Sequence, residues 1–172
     1  LSRHPATEPY WSAGVYRFDD PEPDRAGAFG TCYTASSIDV AFAESVIHES
    51  GRFVVGSYEV PAAELTERSA VRFACPRRKT LVLADLTGAA LKSLGLNNDI
   101  SASADYTASQ AWAKAIHDTA RHWDGIRYVS RQMNKGFAYA IFERSGLLKL
   151  RAEKLKARQV DELCDRFNVT AV

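Results

Sequence analysis

Residues 30–49 read Gly30-Thr-Cys-Tyr-Thr-Ala-Ser-Ser-Ile-Asp-Val-Ala-Phe-Ala-Glu-Ser-Val-Ile-His-Glu49, and the character of the chain changes half-way along them. Cys32 and Tyr33 close a strand, a hydroxyl-rich turn follows, and a helix opens at Ser36 or Ser37. A serine oxygen there can accept from the first free N–H groups, and Asp39 suits the positive end of the helix dipole. The helix is unusually apolar. Ile38, Ala41, Phe42 and Ser45 share one face and Val40, Glu44, Ile47 and His48 another, so little of the circumference suits water. One carboxylate, Glu44, falls in that setting. Burying it costs free energy unless it is paired, so Glu44 is a working group, a structural partner of an arginine, or a side chain that reaches solvent; the helix alone leaves these open.

Upstream, residues 1–12 carry Pro5 and Pro9 and form a loose lead-in. Gly14-Val-Tyr-Arg-Phe18 reads as a short strand, ended by Asp19-Asp-Pro-Glu-Pro23, where the prolines stop ladder pairing. Arg17 and Arg25 bracket that loop, and either could meet an anion. Downstream, Gly51 stops the helix and residues 52–60 read as one strand closed by Pro61. Residues 69–75 form another, followed by the basic turn Pro76-Arg-Arg-Lys79. Residues 80–86 are a buried strand, 87–94 a short helix with Gly95 at its stop, and 97–105 a polar loop. Residues 107–123 make the clearest helix, with Ala108, Ala111, Trp112, Ala115, Ile116, Thr119, Ala120 and Trp123 recurring every three or four positions; His117 and His122 lie off that stripe, exposed. Residues 125–131 and 137–142 pair as a hairpin through Asn134-Lys-Gly136, with Ser130 and Arg131 at the strand's end. The tail from Glu143 to Val172 is an amphipathic element on the domain surface.

Irregular alternation of strands with two or three helices predicts a single α+β domain rather than a doubly wound parallel sheet. With 172 residues, 46% of them apolar and 25% charged, the chain can bury a core, and its net charge of +1 gives no general pull toward nucleic acid or membrane. No stretch approaches the roughly 18 apolar residues of a membrane span. Cys32, Cys75 and Cys164 lie far apart without a CxxC, which argues against a disulfide framework or a metal site and for a reducing compartment. Gly-rich phosphate loops, HExxH and GxSxG are absent.

The order Tyr16-Arg17-Phe18, Gly30-Thr-Cys-Tyr33-Thr-Ala-Ser, Ala41-Phe-Ala-Glu44, Asp85-Leu-Thr-Gly88, Asp105-Tyr106, Gln110-Ala-Trp, Asp124-Gly-Ile-Arg-Tyr-Val-Ser130-Arg131 and Ala140-Ile-Phe142 resembles the RES-domain family, over about residues 14–144 with 145–172 as an extension. The resemblance implies a fold like that of ADP-ribosyltransferases and a cytoplasmic toxin that destroys NAD⁺, without a metal, partnered by an Xre-type antitoxin. Carried over, Glu44 is the family glutamate, Ser130 the serine and Tyr33 the tyrosine before the helix. The family's Gly-Gly-Arg-Trp-like segment is missing, so Arg25 is the positional match for the arginine and Arg17 for a second one. Cleaving the nicotinamide–ribose bond passes through an oxocarbenium-like state that a carboxylate stabilises, and an arginine fork suits the pyrophosphate. We therefore expect Glu44, Arg25 and Ser130 to act in catalysis and Tyr33, Arg17 and Arg131 to bind NAD⁺. An ADP-ribosyltransferase acting on a protein or nucleic acid, and a non-enzymatic binding module, are the alternatives.

Overall fold

The computed structural model describes residues 1–3, 8–75 and 80–172, so Pro5 of the lead-in and the basic turn at 76–79 lie outside the described residues. Nine strands form among them: β1 (Thr31–Ala35), β2 (Arg52–Val54), β3 (Ser57–Val60), β4 (Ser69–Ala74), β5 (Leu83–Leu86), β6 (Gly125–Val129), β7 (Phe137–Phe142), β8 (Leu148–Lys154) and β9 (Val169–Ala171). They build a four-stranded sheet in the order β1-β7-β6-β5, a three-stranded sheet β2-β3-β9 and a ribbon β4-β8. β5 runs parallel to β6 while β6–β7 and β7–β1 are antiparallel, so the expected α+β class holds.

The period-two alternation of the central strands decides what covers them. Ile126 and Tyr128 of β6 and Ala138, Ala140 and Phe142 of β7 point to one face, where Trp112, Ala113 and Ile116 of the helix Thr107–Asp118 pack on them. Cys32 and Ile141 point to the other face and meet Leu147 and Phe73. Glycine opens β6 at position 125, where a Cβ would lie 2.4 Å from the carbonyl oxygen of Ala140 on the paired strand. A second core joins Phe42, Val46 and Ile47 to Val60 of β3 and Leu163 of the helix Ala157–Phe167.

Several expected elements differ. Residues 14–18 are not a strand: the Asp19 carboxylate accepts from the N–H groups of Val15 (3.0 Å) and Tyr16 (2.9 Å) and curls the chain into turns. Residues 52–60 are a hairpin, turned at Val55 and Gly56 with φ of +40° and +88°. The helix from Thr107 stops at Asp118, where Thr119 turns extended, and its buried positions are Ser109, Ala113 and Ile116 while Ala108, Ala111 and Ala115 are exposed. Alanine is too small to mark a face; Trp112 and Ile116 set it. His117 is half-buried, stacked on Phe29 at 4.2 Å between centroids, not exposed. The polar loop contains the short helix Asp99–Ala102. The tail is not one element but β8, the helix Ala157–Phe167 and β9, of which the two strands pair with β4 and β3.

Candidate functional site

The helix over residues 38–50 is built in three parts, α-helical Ile38–Phe42, π-helical Ala43–Ile47 and α-helical His48–Ser50. Ser37 is its N-cap, accepting from the N–H of Val40 at 3.2 Å. Ser36 ties that end to the first residue of β7, its Oγ accepting from the N–H of Phe137 at 3.2 Å and its own N–H donating to the Phe137 carbonyl at 2.9 Å. The 130–136 loop lies directly on the helix, since a Cβ on Gly136 would fall 2.2 Å from Cγ2 of Val40. The wider π turn, a feature concentrated at functional sites, then carries Glu44 toward that loop.

There Ser130 Oγ donates to Glu44 Oε1 at 2.5 Å, a charge-assisted contact between residues 86 apart in sequence. The same Oγ accepts from the N–H groups of Met133 (3.0 Å) and Gln132 (3.2 Å), and the Gln132 N–H also reaches Glu44 Oε1 at 3.4 Å. Ser130 is 2% exposed while Glu44 is half-buried and faces a cleft of about 1870 Å³.

Arg17, Tyr16, Tyr33, Tyr106, Tyr128 and Arg131 line that cleft with Glu44. Arg17 is 8% exposed; its Nη1 donates to the Ser103 carbonyl at 2.7 Å and its guanidinium lies 4.7 Å from the centre of the Tyr106 ring. Burial lowers its pKa, Arg131 lowers it further, and Tyr106, Tyr128 and Glu44 favour its charge. Among the described residues no carboxylate comes within ion-pair distance of it. Tyr33 donates its O–H to Asp19 Oδ1 at 3.0 Å and accepts from the N–H of Phe18 at 2.8 Å, so its ring, set edge-on to Tyr16, is the part free to face the cleft. Burial raises the Tyr33 pKa well above its ordinary value and Asp19 adds to it; burial followed by the charge of Glu44 raises that of Tyr128.

Of the expected residues, the structure brings Glu44 and Ser130 into contact and sets Arg17, Tyr33 and Arg131 on the same cleft. It does not bring Arg25 there. Arg25 pairs instead with the buried Asp20 (3.0 Å) and with Asp118 (3.5 Å) at the end of the helix Thr107–Asp118, and lines no part of the cleft. Tyr106, Tyr128 and Asp19 escaped the sequence reading as site elements. Alternation along Gly125–Val129 puts Tyr128 on the face of Ile126, and Asp105-Tyr106 opens a helix, but neither pattern marks a cleft. Among the described residues no three His, Cys, Asp or Glu side chains could jointly hold a metal ion, and no helix is long and apolar enough to cross a membrane.

Against known proteins, the chain matches the RES domain over residues 2–159. Its fold is similar to that of a chain in the crystal structure of the M. tuberculosis MbcT-MbcA toxin-antitoxin complex, with a TM-score of 0.57 and 18% sequence identity over 91% of this chain and 87% of that one. No curated protein matches it in sequence.

Proposed function

We propose, since this chain belongs to the RES-domain family, that it is the toxin of a toxin–antitoxin pair and depletes NAD⁺ by cleaving the nicotinamide–ribose bond. The observation that carries this reading is one juxtaposition: a carboxylate bonded to a buried hydroxyl, in a cleft with a buried guanidinium that no carboxylate among the described residues neutralises. A buried cation without an ion-pair partner favours a bound anion, and the planar guanidinium fork matches a pyrophosphate. Arg17 takes this role rather than Arg25, whose charge Asp20 and Asp118 already meet. Arg131, exposed at the cleft wall, is a second cation for the phosphates, and the Tyr33 ring offers a flat face to nicotinamide.

In this reaction the bond's electron pair passes to the pyridinium nitrogen, nicotinamide leaves neutral, and positive charge develops on the ribose. Glu44 stabilises that charge, and Ser130 fixes which carboxylate oxygen is turned toward the ribose. Water or phosphate then bonds to the same carbon. An Xre-type antitoxin blocking the cleft is the partner we assign, by analogy with the structurally similar chain, which belongs to a toxin-antitoxin complex.

The test is incubation of the chain with NAD⁺, with and without phosphate, following nicotinamide and the mass of the ribose product. Free ADP-ribose or its 1″-phosphate, lost in Glu44→Gln by about 10²- to 10³-fold, supports glycosidic cleavage and names the acceptor. Label retained on a macromolecule, when labelled NAD⁺ is added with cell lysate, replaces it with ADP-ribosyl transfer. No release from the folded chain alone overturns glycosidic cleavage with water or phosphate as acceptor, and no release or labelling with lysate present leaves a non-enzymatic binding module.

A further inference from the structure

Asp19 is fully buried, and its carboxylate accepts four hydrogen bonds. Oδ1 takes the hydroxyls of Ser12 (2.8 Å) and Tyr33 (3.0 Å), and Oδ2 takes the backbone N–H groups of Val15 (3.0 Å) and Tyr16 (2.9 Å). Among the described residues no cation stands within ion-pair distance of it, so these donors alone replace the water a carboxylate loses on burial. They converge on one short segment. Asp19 Oδ2 holds the peptides on the N-terminal side of Arg17, while Tyr33, itself fixed by Asp19 Oδ1, accepts from Phe18 N–H at 2.8 Å on the C-terminal side. Gln110 holds the Tyr16 carbonyl at 3.0 Å and Thr31 the Phe18 carbonyl at 3.1 Å.

We propose that Asp19, acting through the Tyr33 hydroxyl and the turn at residues 15–18, is the positioning residue that fixes Arg17 in the cleft and so sets affinity for the pyrophosphate of the substrate. This rests on the NAD⁺ reading for its substrate and on the hydrogen bonds alone for the positioning. A side chain without substrate contact can matter this much because a misplacement of about 1 Å can cost 10²-fold. The arrangement also assigns the Tyr33 hydroxyl to the support of Arg17, leaving only its ring for the ligand.

The test is a double-mutant cycle on kcat and KM for NAD⁺ and on the Kd for ADP-ribose, using Asp19→Ala, Arg17→Ala and the pair. Asp19→Ala is expected to raise KM and Kd about 10- to 100-fold with a smaller change in kcat, and to add nothing in the Arg17→Ala background. An equal loss in both backgrounds overturns the proposal. Tyr33→Phe, which removes one hydroxyl and keeps the ring, is expected to give a smaller loss of the same kind, absent when Arg17 is Ala; it decides the matter if Asp19→Ala does not fold. Asp19→Asn, whose amide can donate to the two hydroxyls while its oxygen keeps the two N–H groups, is expected to restore most of the affinity. Hydrogen exchange at Val15, Tyr16 and Phe18 separates failures: if wild type neither binds nor cleaves NAD⁺ the functional reading falls, while faster exchange in Tyr33→Phe at Phe18 still supports the pin and unchanged exchange overturns it.

Discussion

Ser130 serves three partners with one hydroxyl, giving its proton to Glu44 and accepting from Met133 and Gln132. Ser130→Ala removes the acceptor of two backbone N–H groups at a position 2% exposed, and Glu44 Oε1 at 3.4 Å from Gln132 is a poor substitute. The expected cost is about 1–3 kcal/mol, read as a lowered Tm in thermal melts, together with a fall in NAD⁺ turnover as Glu44 loses its fixed orientation. A second residue gives a pH test. Burial against Phe29 pushes the His117 pKa below its ordinary 6.5, opposed by the Asp118 carboxylate at 3.0 Å. The folded state then binds this proton less readily than the unfolded chain, so the stability from a neutral His117 is present above pH 6.5 and is lost as pH falls below it. Melts from about pH 7.5 down to about 5 should show a steeper loss of Tm in wild type than in His117→Gln; equal slopes would remove the histidine from the account. The sequence marks Glu44 because a carboxylate on an apolar helix breaks the pattern, whereas Ser130, a hydroxyl at a strand end, is marked only by the resemblance to the family. The expectation that Arg25 acts in catalysis came from its position in the loop, and sequence alone does not show its pairing with Asp20 and Asp118, because Asp118 comes from a distant helix.

At the scale of elements, the pieces legible in the sequence are those held by local chemistry. Serine caps the helix at 38–50, and Asn134-Lys-Gly136 turns β6 into β7. What escaped depends on partners remote in sequence or on geometry outside the two standard periods. The π segment is the clearest case. A 3.6-residue reading puts Phe42 and Ile47 on different faces, yet the wider turn brings Phe42, Val46 and Ile47 into one core and leaves Glu44 turned toward the cleft. Likewise, residues 14–18 read as a short strand in sequence, where a buried carboxylate offers the N–H groups of Val15 and Tyr16 an acceptor instead. The contact between this helix and the hairpin loop yields a prediction. A methyl at position 136 collides with Val40, a β-branched side chain with little rotamer freedom, so Gly136→Ala must push the 131–136 loop from the helix and carry Ser130 with it. We expect folded protein with a Tm lowered by several degrees and turnover reduced more than in any surface variant of the loop, such as Lys135→Ala. Wild-type turnover in Gly136→Ala would show that the loop does not hold the pair.

For the whole molecule, the motifs that carry the resemblance in sequence span about residues 14–144, as if 145–172 were an appendage, whereas the family match itself runs over residues 2–159. The packing also argues against an appendage. Leu163, Cys164 and Phe167 of the helix Ala157–Phe167 cover Phe42, Val46 and Ile47, the inner side of the helix whose outer side presents Glu44, and the Phe42 and Phe167 rings lie 5.5 Å apart. β9 extends the sheet of β2 and β3 in parallel, and Arg166 pairs with Asp39 in the first turn of the Glu44 helix. Removing the tail uncovers the apolar back of the helix that carries Glu44. A chain ended after Lys156 is therefore expected to lose cooperative unfolding and turnover together. Leu163→Ala, which leaves every strand in place, should cost about 2–5 kcal/mol and lower the Tm accordingly. Circular dichroism melts with NAD⁺ turnover on both proteins would decide it. A truncated chain that melts cooperatively and cleaves NAD⁺ at the wild-type rate would restore the division into core and appendage, whereas joint loss would make the tail part of the single cooperative unit that positions Glu44.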